Sequence, residues 1–324
     1  MAPGFPKASI AIAGHNTKKK VKDEKMPKKK INFPKASIVI ATHNNENTLR
    51  KVLHSMLELN YPNQFEAIVV NDGSTDNTKE MLQQEFGKEP RIKAINFSKN
   101  QGVCIARNAG INAARFPIIV NMDHDCVAET QWLQQLVKEF KDPKVGAVSS
   151  FGDFGGTSTA FRKSLLEKVQ GYDEKYCYYR EDTDLTFKIM EQGFKYKVVK
   201  ANYFHDHGET KPAGLIELIK YLLQRLRYHQ NDVLLFKKHP LLAGKFLDVK
   251  FGFLVNPVKD FKVAANLWEG SSKKLKLCSP RGIILIENKS PLHAFLIIFF
   301  ALMYVVAIKT SRLSGSIKYG RLLI

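Results

Sequence analysis

Acidic residues are scarce in this chain: 31 Asp and Glu stand against 50 Lys and Arg, a formal net charge of +19 over 324 residues. Such an excess points to an anionic partner, whether nucleic acid, anionic lipid or a phosphorylated substrate, with mere solubility as the alternative. Cysteine is also sparse. Cys104, Cys126, Cys177 and Cys278 form no CxxC pair and have no His at zinc-finger spacing, which argues against a disulfide framework or a zinc site and for a reducing, cytosolic setting. The N-terminal stretch is Lys-rich and has no apolar core of signal-peptide type. No GxGxxG follows the first strand pattern, which ranks a dinucleotide-dependent oxidoreductase last. Helix-turn-helix, zinc-finger and RNA-recognition signatures are missing, and the lysines are dispersed or gathered in a terminal linker. A basic nucleic-acid-binding protein is therefore only a remote alternative, and no nucleic acid partner is expected.

What is present is enough apolar residue, 44% against 25% charged, to bury one large domain with an appendage. Residues 5–16 read FPKASIAIAGHN and residues 33–44 read FPKASIVIATHN, with a basic linker between them. Only the second copy runs into a helical pattern, through Thr48, Leu49, Val52, Leu53, Met56 and Leu57, so it is expected to be the true first strand. The first copy is read as an unpaired extension. Met26 is an alternative start that would make residues 1–25 a duplication artefact, and His15 is given no function.

From Ala36 onward the pattern alternates: strand 38–41, helix 48–59, strand 67–70, helix 78–86, strand 92–96, helix 105–114, strand 118–121. This predicts an α/β fold with a mainly parallel central sheet flanked by helices. A second block, 145–204, mixes short strands with helices 163–169 and 182–192. After Pro212, Leu215, Ile216, Ile219, Leu222, Leu223 and Leu226 fall at helical spacing beside Lys220, Arg225 and Arg227. That amphipathic helix either packs on the domain or lies in a membrane interface. Residues 291–308 carry no charge. As a helix they reach about 27 Å, just short of the roughly 30 Å of a hydrocarbon core. Cations flank the segment on both sides, so a span and a re-entrant or surface-lying helix both stand, and membrane lipid is an expected partner. The predicted division is a basic extension over 1–32, a catalytic domain over 33–211, a helical and basic membrane-proximal region over 212–290, a hydrophobic membrane helix over 291–308 and a basic tail over 309–324.

The chemistry gathers at strand ends. Asp123-His124-Asp125 follows an apolar run, where open α/β sheets bind ligands. On an extended segment the two carboxylates would face one way and share a divalent cation, with room for a diphosphate; a solvated turn is the alternative. His124 is not expected to be a ligand. Val69 to Asp76 reads VVNDGSTD, a strand entering a Gly-Ser turn. There Asp72 can accept from a base or ribose, and Gly73 admits close backbone approach, unless Asp72 or Ser74 merely caps the turn. In the stretch from Asn100 to Gly110, NQGVCIARNAG, Arg107 offers a donor fork to a diphosphate or pairs with a carboxylate at the sheet edge. Further on come GYDE at 171–174 and REDTDL at 180–185, which puts Asp182 at a helix start as either a base or a cap.

Taken with the opening strand ASIVIATHN at 36–44, these stretches resemble glycosyltransferase family 2, inverting nucleotide-sugar enzymes of the GT-A fold, over roughly residues 35–208. His43 stands where a Tyr is common. The resemblance implies a metal-dependent inverting transferase that moves a sugar from a UDP-, GDP- or dTDP-sugar to a hydroxyl of a glycan or lipid-linked glycan. The alternative is a polyprenyl-phosphate acceptor of the dolichyl-phosphate sugar synthase type. The resemblance implies a cytoplasmic catalytic domain at the cell membrane and Mn²⁺ or Mg²⁺ as cofactor. It makes Asp182 the general base and sets Thr42, Asn44, Asp72, Gly73, Ser74, Arg107 and Asp123 on the donor. The acceptor falls to Gly156, Thr157, Arg162 and Glu181. Asp123, Asp125 and His205 are assigned to the metal; of the His205–His207 pair, His205 is preferred.

Overall fold

Period-two burial runs through the first strand, β1 (Ala36–Thr42): Ala36, Ile38 and Ile40 pack on one face of the sheet and Val39 on the other. Both faces are apolar, as a sheet covered by helices on each side requires. The computed structural model describes residues 33–152, 154–176, 178–206, 215–265, 268–269, 274–279, 282–287 and 291–324. The first copy of the strand, the linker, Met26, Cys177, His207, Gly208 and Pro212 lie outside the described residues, and 33–324 forms one compact unit.

After β1 come α1 (Glu46–Leu57), β2 (Phe65–Asn71), α2 (Thr78–Glu85), β3 (Ile92–Asn96), α3 (Val103–Ala113), β4 (Ile118–Asn121), β5 (Cys126–Ala128) and α4 (Trp132–Val137). Then follow β6 (Val145–Ser149), β7 (Thr159–Arg162), α5 (Lys163–Lys168), α6 (Glu181–Glu191), β8 (Lys195–Val198) and β9 (Tyr203–His205). The seven-stranded sheet has the order β3-β2-β1-β4-β7-β6-β8. It is mixed: β7 pairs antiparallel to both β4 and β6, while the remaining pairs are parallel. α1, α2 and α4 cover one face, where Leu49, Val52, Leu53 and Met56 of α1 recur at helical spacing and are each worth about 1.5–3 kcal/mol of burial. α3, α5 and α6 cover the other.

The chain steps outward from β1 to β3 and returns to β4 on the opposite side of β1. This reversal leaves a crevice at the carboxyl ends of β1 and β4, the place where such sheets take ligands.

The C-terminal region departs from the sequence reading. It contains α7 (Leu215–Tyr228), α8 (Gln230–Lys238), α9 (Pro240–Leu247), α10 (Pro257–Ala265) and α11 (Pro291–Tyr319), together with a small antiparallel sheet of Trp268–Glu269, Lys274–Ser279 and Gly282–Glu287 that the apolar periodicity did not announce. α8 is no appendage, since Leu234 joins the core of the sheet face that holds Phe161 and Leu185. α11 runs well past the uncharged stretch, since Lys and Arg are good helix formers, and its later cations, Lys309 and Arg312, are paired with Asp260 and Asp232. Among the described residues it is the one helix long and apolar enough to cross a membrane, over Ile298–Tyr319 with mean hydropathy 1.3. Phe295, Ile298, Phe299, Phe300, Leu302, Met303 and Val306 are exposed along it, while Ala301 and Val305 pack on Phe261.

Candidate active site

β1, β2 and β4 deliver their carboxyl-terminal residues to the crevice. Asn44 leaves β1 with φ of 55°; its N–H donates to Ser74 Oγ at 3.0 Å, and its Oδ1 accepts from the Thr75 N–H at 2.7 Å. Thr42 is buried at the end of β1, and its Oγ1 has no hydrogen-bond partner among the described residues. Gly73 turns the chain at φ of 64°, and a Cβ there would lie 2.3 Å from the Lys99 carbonyl carbon. Asp72 is buried, and its two oxygens accept the backbone N–H groups of Gln101 at 2.7 Å and Gly102 at 2.9 Å. The structure therefore gives Asp72 the capping work: it fixes the entry to α3, which in turn carries Arg107.

The Asp-x-Asp triplet is a turn, not extended strand, so its carboxylates diverge. Asp123 accepts from Arg107 Nη2 at 2.9 Å, and its backbone N–H donates to Thr157 Oγ1 at 3.0 Å. Asp125 instead faces His205, with Oδ2 3.0 Å from Nε2, because β5 pairs antiparallel with β9 and sets Cys126 opposite His205. The donor atoms of Asp125, Cys126 and His205 lie within 4.8 Å of one another, an oxygen, sulfur and nitrogen set able to hold a divalent cation. Asp123 is not part of that cluster, which corrects the expectation that the two carboxylates face one way. Burial raises the Asp125 carboxyl, but the His205 hydrogen bond together with the nearby His124 and His205 rings outweighs it and holds the group below its ordinary value. His124 turns aside, its Nδ1 3.3 Å from the Ala41 carbonyl.

α6 brings the remaining acids. Arg107, 7% exposed, reaches Glu181 Oε1 and Asp182 Oδ1, each at 3.2 Å, as well as Asp123. Tyr172 donates to Asp182 Oδ1 at 2.9 Å while accepting from Asn121 Nδ2 at 2.6 Å. Oδ1 is thus restrained twice, and Oδ2 makes no hydrogen bond among the described residues. Burial raises the Asp182 carboxyl above its ordinary value against the pull of Arg107. Gly155, at φ of 112°, lets the 150–158 loop touch α6, since a Cβ there would meet Asp182 Cβ at 2.7 Å. α6 is entered through two non-glycine residues of positive φ, Tyr179 at 71° and Arg180 at 78°, a strain of about 1–3 kcal/mol each.

Burial, with the neighbouring Asp182 adding to it, pushes the Glu181 carboxyl up to about 7 against the attraction of Arg107. The folded chain then holds a proton that the unfolded chain releases, so stability falls as pH rises from the ordinary carboxylate range to about 7. Glu181→Gln is expected to flatten that fall and to melt higher than wild type at pH 8, with no gain at pH 5. Thermal unfolding at the two pH values checks this, and an equal loss at both would mean that the Arg107 ion pair outweighs burial.

Of the residues expected at the site, the structure gathers Thr42, Asn44, Asp72, Gly73 and Ser74 on one wall. Arg107, Asp123, Thr157, Glu181 and Asp182 form the floor, with Asp125 and His205 at the rim. Gly156 sits in the 150–158 loop against the Phe151 ring. Arg162 does not belong. It pairs with Ile118 at the amino end of β4, and its guanidinium donates to the carbonyls of Phe140, Asp142 and Val145. Antiparallel β7 carries it away from the crevice that Thr157 lines. Residues not foreseen are Tyr172, Cys126, and Asn231 and Asp232 of α8. Tyr172 stood inside a quoted motif, whereas nothing in spacing linked residues 231 and 232 to 180.

Beside the turn that enters α6 lies a cavity of about 430 Å³ lined by Tyr178, Tyr179, Tyr221, Tyr228 and Arg225, among others.

Comparison with known proteins agrees with this geometry. The family model described as Glycosyl transferase family 2 matches residues 37–208. A poly-beta-1,6-N-acetyl-D-glucosamine synthase of Staphylococcus epidermidis is 34% identical over 106 residues, which is 32% of this chain and 24% of that protein. A synthase of the same name from Staphylococcus aureus (strain COL) is 30% identical over 106 residues, with the same coverage. The chain thus matches about a quarter of the length of these relatives. Among solved structures, a mannosyltransferase from Pyrobaculum calidifontis in complex with GDP-Man and Mn²⁺ superposes with a TM-score of 0.60 at 20% identity, covering 87% of this chain and 88% of that one. At that identity the likeness bears on the fold.

Proposed function

The chain belongs to glycosyl transferase family 2, and from that premise we propose that it moves a sugar, with inversion, from a nucleotide-sugar donor to a hydroxyl of a glycan or lipid-linked glycan. The observation that carries this reading is the crevice at the β1–β4 reversal. There the Asp125–His205 pair stands beside Arg107, which gathers Asp123, Glu181 and Asp182.

In this reading Thr42, Asn44 and the 72–74 turn bind the nucleotide, and Asp123 faces the donor. Asp125 and His205 hold a divalent cation, Mn²⁺ or Mg²⁺, whose chemistry is to neutralise charge on the departing nucleoside diphosphate. Asp182 receives the acceptor's proton at Oδ2 while Tyr172 and Arg107 restrain Oδ1, and its raised carboxyl value makes it the stronger base. Glu181, Gly156 and Thr157 line the acceptor side. The tyrosine-lined cavity offers apolar ring faces to a sugar chain, with Arg225 as a charged donor. The exposed apolar length of α11, and Ile216, Ile219 and Leu223 of α7, support attachment to a membrane; its cytoplasmic face is part of the proposal. The same surface, with Arg225 beside it, favours a second reading in which the acceptor is a polyprenyl phosphate.

Nucleoside-diphosphate release from UDP-, GDP- and dTDP-sugars, with membranes present, tests the proposal. Release from one donor is expected, abolished by EDTA and reduced about 100-fold or more in Asp125→Ala. A folded protein that neither releases nor binds any of these donors would sink the reading.

A further inference from the structure

α6 begins where its own sequence resists. Tyr179 and Arg180 take the left-handed conformation consecutively, directly before Glu181 and Asp182, and such backbone persists only where its surroundings over-determine it. The surroundings that do so belong to α8. Asn231 Nδ2 donates to the carbonyl oxygens of Tyr178 at 2.8 Å and Tyr179 at 3.0 Å. Arg180 Nε donates to Asp232 Oδ1 at 2.7 Å, with its guanidinium over the rings of Tyr179 and Phe246. Two adjacent residues of one helical turn therefore grasp the strained segment, one by its backbone and the other by its side chain.

Asp232 is fully buried, and a lone carboxylate there would be costly. Its other oxygen takes Arg312 Nε at 2.9 Å and lies 3.1 Å from His229 Nδ1. Arg312, in α11, continues to Asp260 at 2.8 Å, and Asp260 also faces Lys309 at 3.3 Å. α11 sits close enough for this because Gly315 meets α8 with no side chain between them: a Cβ there would be 2.9 Å from Gln230 Cα.

We propose that Asn231 and Asp232 are positioning residues of the transferase. They hold the turn that aims Asp182, and Arg312 gives buried Asp232 its second guanidinium, so that seating of α11 is part of setting the base. This rests on the reading of Asp182 as base; the clamp itself is tested without it.

The test compares full-length Asn231→Ala, Asp232→Asn and Arg312→Gln with Leu234→Ala; the leucine side chain packs in the core and makes none of the hydrogen bonds that hold the turn. In Asn231→Ala, kcat is expected to fall roughly 100-fold, as for a misplaced reacting group. The donor KM should stay within about twofold, because the donor wall is untouched. Leu234→Ala should keep its kcat at comparable loss of stability. Hydrogen–deuterium exchange in a peptide covering 178–184 should quicken in Asn231→Ala and Asp232→Asn while peptides over β1–β4 stay unchanged. Arg312→Gln should quicken the same peptide. If the charge variants fail to fold, Asn231→Ala, which removes no charge, still decides. Wild-type exchange over 178–184 in folded Asn231→Ala, or a kcat equal to that of Leu234→Ala, overturns the proposal. A wild-type protein that turns over no donor would instead undo the functional reading, and the exchange result would still judge the clamp.

Discussion

Asp182→Asn is expected to lower turnover on a sugar-hydroxyl acceptor by about 10²–10⁴-fold while leaving donor affinity unchanged. The amide oxygen can keep both contacts of Oδ1, accepting from Tyr172 at 2.9 Å and Arg107 at 3.2 Å, so the local fold should survive. What is lost is the proton acceptor at Oδ2. A polyprenyl phosphate needs no such help, because its oxygen is already anionic; with that acceptor the variant should retain most of its rate. The two acceptor classes, assayed side by side with donor binding by calorimetry, separate the two readings of the function. An equal loss on both would show that Asp182 positions groups and takes no proton.

Arg107→Met is expected to be the most destructive change for the fold of the site, costing about 3–5 kcal/mol at neutral pH. The guanidinium is 7% exposed, holds Asp123, Glu181 and Asp182, and lies over the Tyr172 ring. Methionine matches its length but leaves three carboxylates facing one another. The affinity of Glu181 and Asp182 for protons then rises, and the folded state takes up more protons than the unfolded state. The penalty should shrink toward pH 5, where Glu181 is protonated and its charge no longer adds to the repulsion, and deepen toward pH 8. Denaturant unfolding at both values measures this. A variant as stable as wild type at pH 8 would mean that these carboxylates are not ionised together.

The legible parts of this chain were those governed by local periodicity. β1, β2 and β3 with the helices that follow them, and β4, follow from apolar spacing, and the switch point follows from their order. The likeness of motifs 36–44, 69–76, 100–110 and 180–185 named the residues of one crevice. Direction of a short strand has no such signature. β7 was not foreseen as antiparallel, so Arg162 was read onto the wrong end of the sheet. Local backbone also escaped: Asp123 and Asp125 sit on a turn, and only the pairing of β5 with β9 decides that His205 meets Asp125 and not Asp123. Least legible were buried charges. Arg312 follows an apolar run and looks like any tail cation, yet it is 3% exposed against Asp232, because a charge in sequence carries no mark of the partner that will cover it.

The fastening of the Tyr179–Arg180 turn also sets an order of events during synthesis. A chain leaves the ribosome N-terminus first, and domains fold as their segments emerge. β1 to β4 lie within residues 36–121, whereas the turn before Asp182 is fastened by Asp232, and Asp232 takes its second guanidinium from Arg312. The crevice wall of residues 42–44 and 72–74 is therefore made long before the residues that fasten this turn. On the functional reading proposed above, a product terminated before residue 312 carries that wall without the full fastening of the turn that precedes Asp182.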